Sequence, residues 1–191
     1  ENDRGTYIFN SKDLCMIEHI PELMDCGIDS FKIEGRMKAA LYVAVVARTY
    51  RLAIEDYKKS PDCYRERLPF YRSEIAKCTN RQFTTGFFFG KPNEEAQIYD
   101  SSTYQKEYTY LGLIGGQDKN GHYRLEQRNK FSVGEQIEVM KPNGENRLVS
   151  VKGIWDEDGK EIESCPHAKQ IISVDLGCEL SEFDILRRKE G

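Results

Sequence analysis

Ser30-Phe31-Lys32-Ile33-Glu34-Gly35-Arg36-Met37-Lys38 changes its period in mid-course. Before Gly35 the stretch alternates, with Phe31 and Ile33 apolar and Lys32 and Glu34 charged, the two-residue period of a short strand. After it Val43, Val46, Ala47, Tyr50, Ile54 and Tyr57 recur at threes and fours, as on one side of an amphipathic helix. Together they predict strand, glycine turn and helix. Ligands gather at the carboxyl end of such a strand, where loop side chains and the free N–H groups of the following helix converge. Lys32, Glu34, Arg36 and Lys38 sit at that end and are the candidate substrate-binding residues.

Upstream, Tyr7-Ile8-Phe9 reads as a strand and Asn10-Ser11 as a cap for a helix beginning near Lys12, with Leu14, Ile17 and Ile20 on its apolar side. Pro21 interrupts that helix or starts a second turn, and Gly27 suits its end. Residues 6–58 thus read β-α-β-α, the repeat of a parallel sheet with covering helices. Two such units do not close a core, so further sheet neighbours are expected upstream of Glu1. The absence of an initiator Met, a charged leader or an apolar leader segment likewise reads as a piece of something longer.

Downstream, Ser60 to Pro69 reads as a connection and Phe70 to Cys78 as a short helix. Thr84 to Gly90, with Phe87, Phe88 and Phe89, is expected to pack rather than stand in solvent. Beyond Tyr104 short β-rich runs follow: Tyr108 to Ile114, Tyr123 to Gln127, Gln136 to Met140, Arg147 to Ile154, Lys160 to Ile162 and Gln170 to Leu176, with Asp184 to Arg187 as a seventh. Asn120-Gly121, Pro142-Asn143-Gly144 and Asp158-Gly159 are hairpin turns by chemistry, since Asn and Gly tolerate positive φ. The fold class is therefore α/β followed by all-β, with a small antiparallel barrel or sandwich at the end.

The 191 residues carry 39% apolar content, enough for ordinary cores, and no apolar run spans a bilayer. Six cysteines without CxxC or zinc spacing fit a reducing cytoplasm. The net charge of -4 conceals an asymmetry: residues 32–81 hold 12 basic and 6 acidic groups, while residues 108–191 hold 12 and 15. The basic stretch reads either as a phosphate-attracting patch or as the charged side of a surface helix. In the β-rich part, Arg124, Arg128 and Lys130, and also Arg187 to Lys189, form basic groups, with Tyr123 and Phe131 as candidates to stack on RNA bases; the acidic balance of that part argues against bulk attraction to phosphate and favours an interaction or capping domain with ordinary surface charge.

Three segments, Phe9 to Cys15, Lys32-Ile-Glu-Gly-Arg-Met-Lys38 with its helix, and Phe131 to Glu135 followed by Val139-Met140 and Pro142, closely resemble bacterial collagenase-like proteins of peptidase family U32. The resemblance covers nearly the whole chain. It implies the last β-α units of a TIM-like barrel in residues 1–60, a connecting segment in 61–103 and a small β-barrel in 104–191. It further implies hydroxylation of tRNA or other RNA, an iron–sulfur cluster in the full-length protein, and an anionic small molecule such as prephenate as co-substrate. Cys15 is the one position carried over as a cluster ligand; a cluster takes four, so none is expected in this stretch alone. A half-buried helical thiol is the plain alternative for Cys15, and a structural ion-pair clasp is the plain alternative for Lys32, Glu34 and Arg36.

The family's older label is protease. His19, His122 and His167 stand in no frame of a known protease, and Cys165-Pro166-His167 is adjacent in sequence without being a dyad on that account. Three readings stay open: part of a cytoplasmic RNA-hydroxylation enzyme or its accessory protein, inactive alone; part of an endopeptidase; or a β-barrel module that binds substrate or a partner.

Overall fold

The threes and fours after Gly35 wind into a helix, here α2 (Ala40–Lys59), in a computed structural model that describes residues 10–93, 96–98 and 107–190. The face it buries is turned in part from the expected one. Val46 lies inside as expected, together with Leu41, Val45, Thr49, Ala53 and Asp56, whereas Val43 and Ala47 are exposed. The reason is α3 (Pro61–Ala76), which begins where a connection was expected. Ser60 alone joins the two helices. Its amide bonds back to the Asp56 carbonyl at 3.1 Å, and its hydroxyl accepts from the Cys63 amide at 3.1 Å, capping α3. Pro61 occupies the first turn, where a missing N–H costs nothing.

The helix pair is antiparallel, because Asp56 near the end of α2 meets Arg67 and Tyr71, while Arg48 farther back meets Glu74. Burial alone would raise the Asp56 carboxyl. Hydrogen bonds from Tyr71 at 2.6 Å and Lys59 at 3.0 Å, with the charge of Arg67, outweigh it and hold the pKa below the carboxylate range. Glu74 is gripped by Arg48 on one side and by Lys77, at 2.6 Å, on the other.

Ahead of the helices, β1 (Asp13–Leu14) pairs in parallel with β2 (Phe83–Thr84). The helix expected near Lys12 starts later, as a 3-10 turn at Ile17–His19 running into α1 (Ile20–Asp25). Residues 12–15 are instead drawn out by Lys12, Asp13 and Cys15 amides bonding to the carbonyls of Ala96, Gln82 and Thr84. Gly27, at φ 73°, ends α1 as expected. The strand expected over Phe31 to Glu34 is absent, since no neighbouring strand offers it a ladder among the described residues. Tyr7 to Phe9 lies outside the described residues. Phe87, Phe88 and Phe89 are not packed away: they stand 78%, 55% and 60% exposed.

The chain divides into two units, Glu1–Glu107 and Tyr108–Gly191. The second is a seven-stranded antiparallel sheet built from β3 (Tyr108–Gln117), β4 (Tyr123–Gln127), β5 (Gln136–Met140), β6 (Asn146–Ser150), β7 (Gly153–Trp155), β8 (Ile171–Asp175) and β9 (Ile185–Lys189), in the order β6-β5-β9-β3-β4-β8-β7. The two edge strands are consecutive in sequence. Only Val151 and Lys152 separate them, and the Val151 amide bonds to Glu135 at 3.0 Å while the next amide bonds to Asp175 at 2.8 Å. The sheet must therefore curl until its edges meet at this corner, around a core that includes Leu111, Phe131, Ile137, Ile154 and Leu186.

Arg147 to Ile154, expected as one strand, is two strands bent at that corner, and Lys160 to Ile162 supplies only an isolated bridge from Glu161 to Trp155. Gly121, Gly144 and Gly159 hold positive φ in the three expected turns. Phe131 is wholly buried and Tyr123 packs against the core, so neither is free to stack on a base.

We expect Glu74→Gln to lower stability by about 3 kcal/mol, because buried Arg48 and nearby Lys77 lose the carboxylate charge that offsets theirs; chemical denaturation reads this directly. Arg48→Met with Glu74→Leu should recover most of the loss. A second expectation concerns acid. Since the native pKa of Asp56 is depressed, the stability it contributes is present above the unfolded carboxylate pKa and disappears as pH falls through the folded one. Asp56→Asn should lower stability at neutral pH and flatten the acid limb of the stability–pH curve.

Candidate functional site

A cavity of about 500 Å³ opens in the first unit between the β1–β2 pair, α2 and the irregular run before Gly35. Its walls are mostly apolar, with Met16, Leu23, Phe31, Val46 and Phe88 among them. The sequence candidates Cys15, Lys32, Glu34 and Lys38 all line it, and Arg36 does not.

Lys32 and Glu34 stand at the mouth with side chains 87% and 69% exposed, 3.8 Å apart. Solvent screens such a pair, so it holds little in place. The Glu34 carboxylate also accepts from the Arg36 amide at 3.0 Å, and the Tyr42 hydroxyl donates to the Glu34 carbonyl at 3.4 Å. These contacts, rather than a sheet ladder, shape the turn at Gly35. The Arg36 guanidinium is exposed and has no side-chain partner among the described residues.

Lys38 is different. It lies half-buried, donates to Asp13 and to the Thr79 carbonyl, each at 3.1 Å, and sits over the Tyr42 ring. Asp13 takes a second cation, Arg81, at 3.3 Å. Lys38 is thus committed to a clasp that ties β1, the start of α2 and the residues before β2 together. Asp13 and Arg81 were not singled out in the sequence; Asp13 lies within the Lys-Asp-Leu-Cys run, but its partners are 25 and 68 residues away and no local pattern points to them.

The same logic accounts for the basic stretch. Asp13, Asp56 and Glu74 each hold two cations, and Arg51, Arg65 and Arg72 pair with Glu55, Asp62 and Glu18. Nine of the twelve basic side chains in residues 32–81 are thereby paired with carboxylates within the unit.

Cys15 lies beside Tyr50, whose hydroxyl is 3.8 Å from the sulfur and accepts from the Met16 amide at 2.8 Å. Burial pushes the Cys15 thiol up, and the hydrogen bonds near Ile17 and Tyr50 offset this only in part. Burial likewise drives the Tyr50 phenol well above its ordinary range. Cys78 lines the same cavity. Among the described residues no group of three or more His, Cys, Asp or Glu side chains converges as a metal site, so the residues present do not make up a cluster's ligand set.

Cys165 is no nucleophile. Its thiol is fully buried, donates to the Phe131 carbonyl at 3.4 Å and is pushed up in pKa by burial, whereas His167 is exposed.

Residues 1–98 match the family model described as peptidase family U32, and residues 106–187 match that of the peptidase family U32 C-terminal domain. The chain is 36% identical to the tRNA hydroxylation protein P1 of Bacillus subtilis over 95% of its own length and 43% of the relative's. It is 35% identical to a protein of Porphyromonas gingivalis named collagenase, over 71% of this chain and 38% of that one. A solved C-terminal domain from Geobacillus thermoleovorans, described as that of a U32 peptidase, is 34% identical, covers 43% of this chain and 92% of its own, and gives a TM-score of 0.38. The chain spans less than half the length of the curated relatives it matches.

The half-buried setting of Cys15 has a chemical signature. At neutral pH iodoacetamide should label exposed Cys26 first, Cys15 more slowly, and buried Cys78 and Cys165 last, as peptide mass spectrometry resolves. Labelling of Cys15 as fast as Cys26 would contradict a thiol held against Tyr50 with its pKa pushed up by burial.

Proposed function

The chain belongs to peptidase family U32, and on that premise we propose that it forms part of an enzyme or accessory protein for the hydroxylation of tRNA. The observation that carries this reading is the alignment with a tRNA hydroxylation protein, which runs through both units rather than one. The chemistry of the site agrees with it. The cavity holds no nucleophile matched to a base: Cys15 lies half-buried against Tyr50 with its thiol pushed up in pKa by burial, Cys78 is buried, and Asp13 is bound to Lys38 and Arg81. The endopeptidase reading, which the collagenase-named relative would favour, finds no Cys–His dyad at Cys165 and His167, since the Cys165 thiol is buried against the Phe131 carbonyl.

In this proposal the first unit contributes closing β-α units of a TIM-like barrel. The parallel pairing of β1 with β2 and the exposed Leu14 and Phe83 beside it support that, since parallel strands are ordinarily covered on both faces. The second unit is a small barrel closed at the Val151–Lys152 corner. With tRNA as substrate the protein works in the cytoplasm; no described helix is long and apolar enough to cross a membrane.

Lys38 is occupied, so the cations that meet an anionic group at the cavity mouth are Lys32 and Arg36. An RNA phosphate or an anionic small molecule would be received there, while the apolar interior excludes water from whatever enters. Asp13, Arg81 and Lys38 position this mouth without touching the ligand.

Arg36→Lys tests the assignment, because lysine keeps the charge and loses the planar two-donor fork. In a strain whose only copy of the gene carries the variant, we expect hydroxylated nucleoside to fall about tenfold or more with the melting temperature unchanged. Normal modification with a lowered melting temperature would make Lys32, Glu34 and Arg36 a structural clasp instead.

A further inference from the structure

The outer face of the curled sheet carries a groove of about 340 Å³ across β3, β4 and β8, walled by Tyr110, Leu113, Arg124, Glu126, Arg128 and Ile171. The strand register builds it. Leu113 lies opposite Glu126, and Glu126 opposite Ile171, so these side chains form one row across the three strands. Arg124, two residues before Glu126, occupies the next row on the same face. Tyr110 is fixed at the other end: the Asn129 side chain donates to its carbonyl at 2.7 Å, and the Arg128 amide donates to the Leu111 carbonyl at 2.8 Å. Arg128 pairs with Glu126 at 2.8 Å, whereas exposed Arg124 has no carboxylate partner among the described residues.

Charge sets this groove apart from the rest of its unit. Residues 108–191 hold 12 basic and 15 acidic groups, and five of the acids, Asp156, Glu157, Asp158, Glu161 and Glu163, are gathered in the stretch after β7. The groove has two guanidinium groups to one carboxylate. The groove thus favours an anion in a unit whose net charge is negative.

We propose that this groove is a docking surface for single-stranded RNA, with a base stacked on Tyr110 and the plane of Arg128, and a phosphate received by Arg124. The inference rests on the tRNA reading above and adds to it a second contact surface, on the other unit from the cavity. An extended peptide is disfavoured as occupant. β3, β4 and β8 are interior strands whose ladders are filled on both sides, so the groove offers no free backbone edge for strand addition.

The test is fluorescence anisotropy of the 1–191 chain with a fluorescein-labelled single-stranded oligoribonucleotide and with unmodified tRNA, over a range of salt. Tyr110→Ala and Arg124→Glu should each weaken binding about tenfold, the second also flattening the salt dependence, while Glu157→Gln leaves affinity unchanged. The emission of Trp155, the sole tryptophan, reports whether each variant has folded, and Arg124→Gln replaces Arg124→Glu if that one has not. RNA held with undiminished affinity by the folded variants would overturn the groove and leave the tRNA reading standing. No binding of either RNA by the unaltered chain would overturn both. A photo-crosslinking residue placed at Leu113 that captures protein rather than RNA in cells would also overturn it.

Discussion

Glu74 sits almost wholly out of water and is neutralised from two directions, by Arg48 of α2 and by Lys77 just past the end of α3. Removing a carboxylate and a guanidinium from water costs several kcal/mol each, and only close, well-directed partners offset it. The helix pair of the first unit is therefore specified by charge as much as by apolar contact. Asp56 repeats the arrangement one end along, with Tyr71, Lys59 and Arg67 around it. Asp13 repeats it again beneath the cavity, where Lys38 and Arg81 bring the β1–β2 pair and the start of α2 to one point. A basic stretch that looks in sequence like a surface for polyanions turns out to be, in large part, the set of counter-charges for three carboxylates.

What was legible in the sequence was local. The turns at Gly121, Gly144 and Gly159 were readable because positive φ is a property of a few residues. Most strands of the second unit were readable because β-branched and aromatic residues run together between the turns. The failures came where a distant partner decides. Arg147 to Ile154 bends in two because the Lys152 amide finds Asp175, and nothing within the run announces that corner. Phe31 to Glu34 alternates as a strand should, yet a strand is made by its neighbour, and none is present among the described residues. Ser60-Pro61 is the exception, a local signal of cap and first turn that a reading of proline as a breaker passed over.

The candidate site shows the same division. Of Lys32, Glu34, Arg36 and Lys38, which stand together in the sequence, three line one cavity. Their division of labour was invisible, because the difference between committed Lys38 and uncommitted Arg36 lies in Asp13, which sits 25 residues before Lys38.

The single residue joining α2 to α3 has a consequence for how such a chain can change over generations. Arg67, Tyr71 and Glu74 share one side of α3 because they are spaced by four and three, each residue turning the helix by about 100°. A residue gained or lost ahead of Arg67 inside that helix would swing all three away from Asp56 and Arg48 in one event, and a linker of one residue has no slack to absorb the error. Descendants are free to exchange the outward residues of both helices almost at will. Their lengths are not negotiable.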